Sequence, residues 1–176
     1  FVASLVGNSV VRALGVEHTH YPHFVGSWTG FDLTKVAIFG LIAGLIALGF
    51  VRLTHLIKDT MKKYVTWYPA RPMIGGVILA VLIVACGWRD YQGLSIPLLL
   101  NAMNGATSGH FEVKLLLTAI TIGTGFVGGE VIPLFVIGAL AGATFGSLIG
   151  NNVALFAIVG SVAVLAGAAN TPLACA

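Results

Sequence analysis

Charged side chains are scarce in this 176-residue chain: Asp, Glu, Lys and Arg together make up 9% of the residues, whereas 57% are hydrophobic. A soluble domain normally carries about 25% charged residues. The scarcity therefore excludes an ordinary soluble protein. It also excludes a nucleic-acid partner, because no basic patch alternates with exposed aromatic residues. We expect an integral membrane protein in contact with the lipid bilayer.

Cysteine is equally rare, and the residue patterns of catalytic sites are missing. Cys86 lies in an apolar run and Cys175 at the chain end, which predicts free thiols instead of a disulfide framework. No nucleophile with its base, nucleotide-binding glycine loop or pair of hydrolytic carboxylates is recognisable, so we expect neither enzymatic activity nor a cofactor. His18, His20 and His23 are spaced too closely for a structural zinc site, and we expect no metal.

Five apolar runs predict an all-α membrane helical bundle. Most of them are shorter than the roughly 20 residues that cross a bilayer. Short runs indicate tilted, broken or re-entrant helices, which are stable only where protein or a water-filled cavity satisfies their backbone. The runs are Val36 to Val51, Met73 to Trp88, Leu115 to Gly129, Val131 to Gly150 and Val153 to Ala169.

Basic residues predict the orientation in the membrane. Five of the nine Lys and Arg residues fall in what we interpret as one connection after the first run, which should face the cytoplasm. Tyr64, Trp67 and Tyr68 in the same stretch suit the level of the lipid headgroups. The preceding connection, Val16 to Thr34, has no Lys or Arg and should lie on the opposite side. The five basic residues are Arg52, Lys58, Lys62, Lys63 and Arg71.

A glycine-rich turn before the fourth run contains a single carboxylate, Glu130. Gly128 and Gly129 let the backbone turn sharply and approach a ligand closely, and Pro133 falls in the first turn of the next helix, where its missing N–H costs nothing. The free N–H groups of such a helix start favour an anion, and transporters place broken helices of this kind near the membrane midplane. The alternative is a packing turn between two ordinary membrane helices.

Beyond this turn, a glycine recurs at every fourth position. A helix with this spacing has one bare face that a neighbouring helix can approach closely. We interpret the stripe as a packing feature of a helix over Val131 to Gly150. Its members are Gly138, Gly142, Gly146 and Gly150.

The turn and the striped helix together resemble the CLC family of chloride channels and anion/proton antiporters. The second-half signature of that family is Gly-x-Phe-x-Pro followed by a glycine-striped helix. Gly129, Val131 and Pro133 occupy its three defined positions, with Val131 in place of Phe. The stretches Tyr91 to Gly105 and Leu165 to Leu173 are also similar to the family, so the resemblance runs along the whole chain.

The resemblance implies that residues 1–176 are a partial transmembrane domain, truncated at both ends, that contains the second inverted repeat of a CLC-like transporter. It implies a multi-pass protein of the plasma (inner) membrane, a homodimer, and anion transport as a voltage-gated-like chloride channel or an antiporter that exchanges anions with protons. A non-transporting membrane packing module is the rival. The residues implied at the anion site are Gly128, Gly129, Glu130, Val131, Ile132 and Pro133.

Glu130 distinguishes branches within the family. The order Gly-Gly-Glu-Val-x-Pro resembles the fluoride/proton antiporter branch, where a glutamate and a nearby threonine flank the anion path. Ile132 stands where that threonine would be, so chloride and fluoride both remain open. A carboxylate beside an anion either repels it or takes up a proton and donates a hydrogen bond, and burial favours the protonated form. We predict that Glu130 sets selectivity or proton linkage; the alternative is an acid that caps the turn.

Lys114 is a second candidate, sixteen residues before Glu130 at a position that is basic in other family members. A buried lysine there would bias the pathway towards anions or pair with an acid, whereas a snorkelling lysine at a helix end is the alternative. Thr118, Thr121 and Thr124 follow on the same predicted helix. We expect their hydroxyls to bond the backbone of that helix.

Overall fold

A computed structural model of the chain describes residues 2–15, 30–107, 109–150 and 152–170. Every regular element in these ranges is helical, which confirms the predicted fold class. The histidine cluster of residues 18–23, Cys175 and the end of the family-like stretch beyond residue 170 lie outside the described residues. The helices are α1 (Val2–Ala13), α2 (Gly30–Tyr64), α3 (Ala70–Cys86), α4 (Ile96–Met103), α5 (Phe111–Gly123), α6 (Val131–Leu148) and α7 (Val153–Ala169), with one 3-10 turn over Arg89–Tyr91.

The longest helix, α2, continues well past the predicted end of its apolar run at Val51. Neither Gly nor Pro occurs between Val51 and Pro69, so no residue interrupts the helical backbone. The basic residues that we assigned to a connection are therefore mostly on a helix: of the five, Arg71 alone lies outside α2, in the first turn of α3. The cytoplasmic orientation of this region stays a prediction.

Two helices, α2 and α6, are long and apolar enough to cross a membrane, and α3 and α7 are shorter apolar helices. The outward faces of α2 and α3 are covered by large apolar side chains. Leu41 and Val84 are both 74% exposed, for example. Such faces suit lipid or further protein, and they differ from the charged surface of a soluble domain.

Helices α6 and α7 form the centre of the bundle, with α2 packed against both. Phe39 of α2, Phe145 of α6 and Phe156 of α7 form an aromatic cluster whose ring centroids are 5.0 to 5.8 Å apart. The edge-to-face geometry of two of these pairs is one that aromatic rings prefer. This cluster fixes the relative position of the three helices.

The glycine stripe lies in the α6–α7 interface, as predicted. A Cβ atom at Gly138 or Gly142 would collide with the backbone carbonyl of Gly160 or Phe156, respectively. A Cβ at Gly146 would come within 3.0 Å of Val153 Cα. The prediction is wrong for the fourth member, because α6 ends at Leu148 and Gly150 lies beyond it in a left-handed conformation with φ +64°.

Helix α3 packs at the edge of the bundle against α5. The two are in contact at Gly75, where a Cβ atom would collide with the side chain of Thr124 at the end of α5. Before Thr124 in the sequence, α5 and α3 line a cavity, and the candidate site lies there.

Candidate functional site

A cavity of about 740 Å³ lies between α3, the turn at residues 91–94, α5 and the N-terminal end of α6. The structure brings four of the predicted site residues to its wall, namely Gly128, Gly129, Pro133 and Lys114. Within the ranges that the structure describes, no Asp or Glu lines it. The polar side chains that line the cavity are Tyr91, Gln92, Lys114, Thr118 and Thr121.

The N-terminal end of α6 leaves a row of backbone donors unused. The first helical bond of α6 runs from the Leu134 N–H to the Glu130 carbonyl at 3.0 Å. Among the described residues, no backbone N–H between Val127 and Ile132 donates to a carbonyl, and Pro133 has no N–H. Gly128 and Gly129 carry no side chain that would cover these groups. The predicted exposed helix start is thus present, and it can accept an anion or water.

Glu130 does not occupy the position that we expected. Its side chain is exposed, does not line the cavity and makes no capping hydrogen bond to the turn. Both the predicted burial and the capping alternative are therefore wrong in this structure. The backbone of Glu130 explains why its side chain does not cap the helix. It has φ −94° and ψ −14°, whereas a capping residue normally has the extended conformation. Its influence on selectivity or proton linkage stays a prediction.

Val131 and Ile132 are also exposed, at 48% and 36%, and neither lines the cavity. Only the two glycines and the proline of the signature turn face it. The structure therefore divides the predicted anion-site residues into a group that faces the cavity and a group that faces away from it.

Lys114 is almost fully buried, with 2% of its surface exposed. Its ammonium group donates to the Tyr91 carbonyl at 3.0 Å, the Gly93 carbonyl at 2.6 Å and the Ser95 hydroxyl at 2.8 Å. An ammonium group has three N–H donors, so each donor has one acceptor. The snorkelling alternative is wrong. The partners of Lys114 are neutral, and its positive charge has no carboxylate partner among the described residues.

The turn held by Lys114 is a part of the site that sequence reasoning missed. Ser95 adopts a left-handed conformation, φ 54° and ψ 37°, which is uncommon for a residue with a side chain. Its hydroxyl accepts from Lys114 and donates to the Gln92 carbonyl at 3.3 Å. The His110 N–H also donates to the Tyr91 hydroxyl at 2.8 Å. The available signal was Gly93 shortly before Pro97, which is typical of a tight turn that starts a helix.

The three threonines of this region are not equivalent. Thr121 donates to the Leu117 carbonyl at 2.7 Å and Thr124 to the Ile120 carbonyl at 2.8 Å, which confirms the expectation for both. Thr118 makes no corresponding hydrogen bond in the part of the chain that the structure describes. It is only 7% exposed and lines the cavity.

The comparison with known families agrees with this geometry. The family model of the voltage-gated chloride channels matches residues 1–176. The chain belongs to the voltage-gated chloride channel (CLC) family. Membership confirms the resemblance seen in the sequence and identifies the helical bundle as an integral membrane structure.

Two curated proteins are similar to this CLC chain. A chloride/fluoride channel protein of Pseudomonas syringae pv. tomato is 38% identical to it, over 98% of this chain and 40% of the relative. An uncharacterised protein of Methanocaldococcus jannaschii is 31% identical, over 81% of this chain and 37% of the relative. The chain therefore spans about two fifths of the length of these relatives.

Among solved structures, the crystal structure of a CLC-type fluoride/proton antiporter superposes with a TM-score of 0.83. The two sequences are 30% identical, and the match covers 95% of this chain and 43% of the antiporter. The arrangement of helices around the cavity is thus a CLC arrangement.

Proposed function

We propose that the intact protein moves a small anion across a membrane and that this chain supplies one wall of the anion site, at the cavity beside the N-terminal end of α6. The observation that carries this proposal is that two positively polarised groups border one cavity. The unused N–H groups around Gly128 and Gly129 border the same cavity as the buried cation of Lys114, and no carboxylate of the described residues lines that cavity.

The electrostatics of this wall favour a negative ligand. A helix N-terminus carries roughly half a positive elementary charge, which attracts anions within the first turn. Lys114 adds a further positive charge that is bonded to neutral groups only. A concave surface with positive charge and low-dielectric walls concentrates anions and repels cations.

Fluoride is the anion that we propose first, exchanged for protons. Support comes from the names of two relatives, a chloride/fluoride channel protein and a CLC-type fluoride/proton antiporter. The exposed side chain of Ile132 lies away from the cavity, so the missing threonine at that position does not change the wall described here. Chloride, moved by an antiporter or a passive channel, is the second candidate because the Pseudomonas relative is named for both anions.

For the intact protein we also propose a multi-pass topology in the plasma (inner) membrane, a homodimeric assembly and no enzymatic activity. Membership of the CLC family supports the topology. The glycine-lined α6–α7 interface is equally what a non-transporting packing module would need. Transport measurements distinguish these two roles.

The deciding experiment is anion flux from liposomes that contain the intact protein, with proton movement recorded at the same time. We expect a fluoride gradient to drive protons across the membrane. Chloride flux without proton movement would favour a passive chloride channel. Absence of both fluxes, from protein that elutes as a single folded species, would overturn the transport proposal and favour the packing module.

Glu130→Gln tests the carboxylate in the same assay. We expect a changed fluoride-to-chloride ratio or a changed number of protons per anion, because glutamine cannot be ionised. Glu112→Gln is the matched control, since Glu112 is an exposed acid on α5 that does not line the cavity. If both variants gave the same fluoride-to-chloride ratio and the same number of protons per anion, Glu130 would have no role in the mechanism.

A further inference from the structure

Thr118 is a buried residue whose hydroxyl group no described residue of the chain uses. Only 7% of the residue is exposed. The helix periodicity places it one turn after Lys114, on the same face of α5. Both residues line the cavity, and so do Gly128 and Gly129 before the start of α6.

The absence of a partner sets Thr118 apart from its neighbours. A threonine inside a helix normally satisfies its hydroxyl by donating to the carbonyl four residues earlier. Thr121 and Thr124 both do so, at 2.7 and 2.8 Å. No comparable bond links Thr118 to the Lys114 carbonyl. In the described part of the chain, no fully enclosed side-chain polar atom lacks a partner, so the Thr118 hydroxyl oxygen keeps some accessible surface, and the residue lines the cavity.

We propose that Thr118 is a specificity-determining residue, whose hydroxyl donates a hydrogen bond to a small anion held in this cavity. The inference rests on the transport function proposed above. The anion would lie between the hydroxyl on α5 and the free N–H groups at the start of α6, close to the fixed charge of Lys114.

The chemistry of the hydroxyl selects for a small, strongly hydrated anion. An anion that leaves water must recover its lost hydrogen bonds from the protein, and a buried charge without them is strongly disfavoured. Fluoride concentrates its charge on a smaller ion than chloride and therefore depends more on each available donor. A neutral hydroxyl supplies such a donor without changing the net charge of the cavity wall. It therefore affects the fluoride-to-chloride ratio more than the preference for anions over cations.

Thr118→Val in the intact protein removes the hydroxyl and keeps the branched shape. We expect fluoride flux to fall about tenfold, the effect of one lost hydrogen bond to a charged group. The fluoride-to-chloride flux ratio should fall as well, because chloride depends less on this donor. Thr118→Ser retains the donor and should keep the wild-type ratio. Thr144→Val is the matched control, because the Thr144 hydroxyl already donates to the Leu140 carbonyl at 2.9 Å and the residue does not line the cavity; its ratio should stay within about twofold of wild type.

The apparent affinity for sodium fluoride, measured by calorimetry on the purified protein, provides a second readout. Thr118→Val should weaken it about tenfold and Thr144→Val should leave it unchanged. Thr118→Ala replaces the valine variant if the latter does not fold as judged by size-exclusion chromatography.

The outcomes separate the two proposals. If the wild-type protein transports anions but Thr118→Val keeps its ratio and affinity, the role of Thr118 is refuted and the transport function stands. If Thr118→Ser behaves like Thr118→Val, the methyl group or the packing matters and the hydrogen-bond role is refuted. If the wild-type protein neither transports nor binds fluoride or chloride, both proposals fall.

Discussion

Two glycine-rich regions of this chain use the same residue for opposite purposes. In the α6–α7 interface, Gly138 and Gly142 have no side chain because the carbonyl groups of a neighbouring helix occupy the space. In the turn before α6, Gly128 and Gly129 have no atom within 4 Å of where a Cβ would be. The first pair allows two helices to pack closely. The second pair leaves backbone N–H groups uncovered.

The contrast indicates how the bundle combines rigidity with an accessible site. Helices α6 and α7 pack closely, and the aromatic cluster of Phe39, Phe145 and Phe156 stabilises this packing. The start of α6 therefore has a fixed position. The cavity lies on the other side of that helix start, where α3 and α5 approach each other less closely. A binding site built on rigid elements keeps its geometry better than one built on mobile loops.

The double substitution Gly138→Ala and Gly142→Ala should have the largest effect. Each new Cβ collides with a backbone carbonyl of α7, and backbone cannot move aside as a side chain can. We expect the free energy of unfolding to fall by about 3 kcal/mol or more. Thermal unfolding of the intact protein in detergent measures it.

Gly40→Ala with Gly44→Ala on α2 is the control for this experiment. Both positions are within a helix and have no atom within 4 Å of an added Cβ. Alanine is the better helix former, so stability should stay equal or rise slightly. A similar loss in both double variants would contradict the packing role of the stripe.

Lys114→Met should have the next largest effect, on the cavity side of the molecule. The change leaves the Tyr91 and Gly93 carbonyls and the Ser95 hydroxyl without their shared donor. We expect a loss of about 2–3 kcal/mol in the free energy of unfolding. Anion flux should also fall, because the cavity loses its buried cation and the turn at 91–95 loses its anchor.

The exposed Lys63 provides the control, as Lys63→Met changes net charge by the same amount. Chemical denaturation of both variants, together with flux at two ionic strengths, checks the prediction. If the two variants lost equal stability and equal flux, the anchoring role of Lys114 would be disproved.

A smaller effect is expected at the contact between α3 and α5. Gly75→Ala places a Cβ against the Thr124 side chain, whereas at the adjacent Gly76 the nearest atom is Phe126 Cζ at an ordinary 3.4 Å. We expect Gly75→Ala to cost about 1–2 kcal/mol of unfolding free energy. Gly76→Ala should change it by no more than about 0.5 kcal/mol. Melting temperatures of the pair measure the difference, and equal values would show that close packing of α3 against α5 does not depend on Gly75.

The smallest effect on stability should come from the glycine turn itself. An alanine at Gly128 meets no atom and should change the free energy of unfolding by less than about 0.5 kcal/mol. Gly125, three residues earlier, has φ +97°, so Gly125→Ala should cost about 1 kcal/mol or more through backbone strain. If Gly128→Ala kept its stability but reduced anion flux, this would support the interpretation that the glycine leaves the N–H groups exposed. A large loss of stability at Gly128 would assign it to packing instead.

The residue order predicted much of the local structure of this chain. Apolar runs predicted the helices, glycine spacing predicted a close helix contact on one face of α6, and Pro133 predicted where α6 begins, because each feature depends on residues within a few turns. Errors occurred at element ends. The length of α2 was underestimated because hydrophobicity stops at Val51 while helix-forming residues continue to Tyr64.

The sequence by itself thus determined the membrane class, the helical fold and the exposed start of α6. Only the tertiary structure decided which side chains meet there. Lys114 bonds a turn 19 to 23 residues earlier in the chain, Thr118 lines the cavity without a hydrogen-bond partner among the described residues, and the Glu130 side chain is exposed. Periodicity defines the face of a helix on which a residue lies. The contacts of that face depend on how distant helices pack, and no local pattern encodes that arrangement.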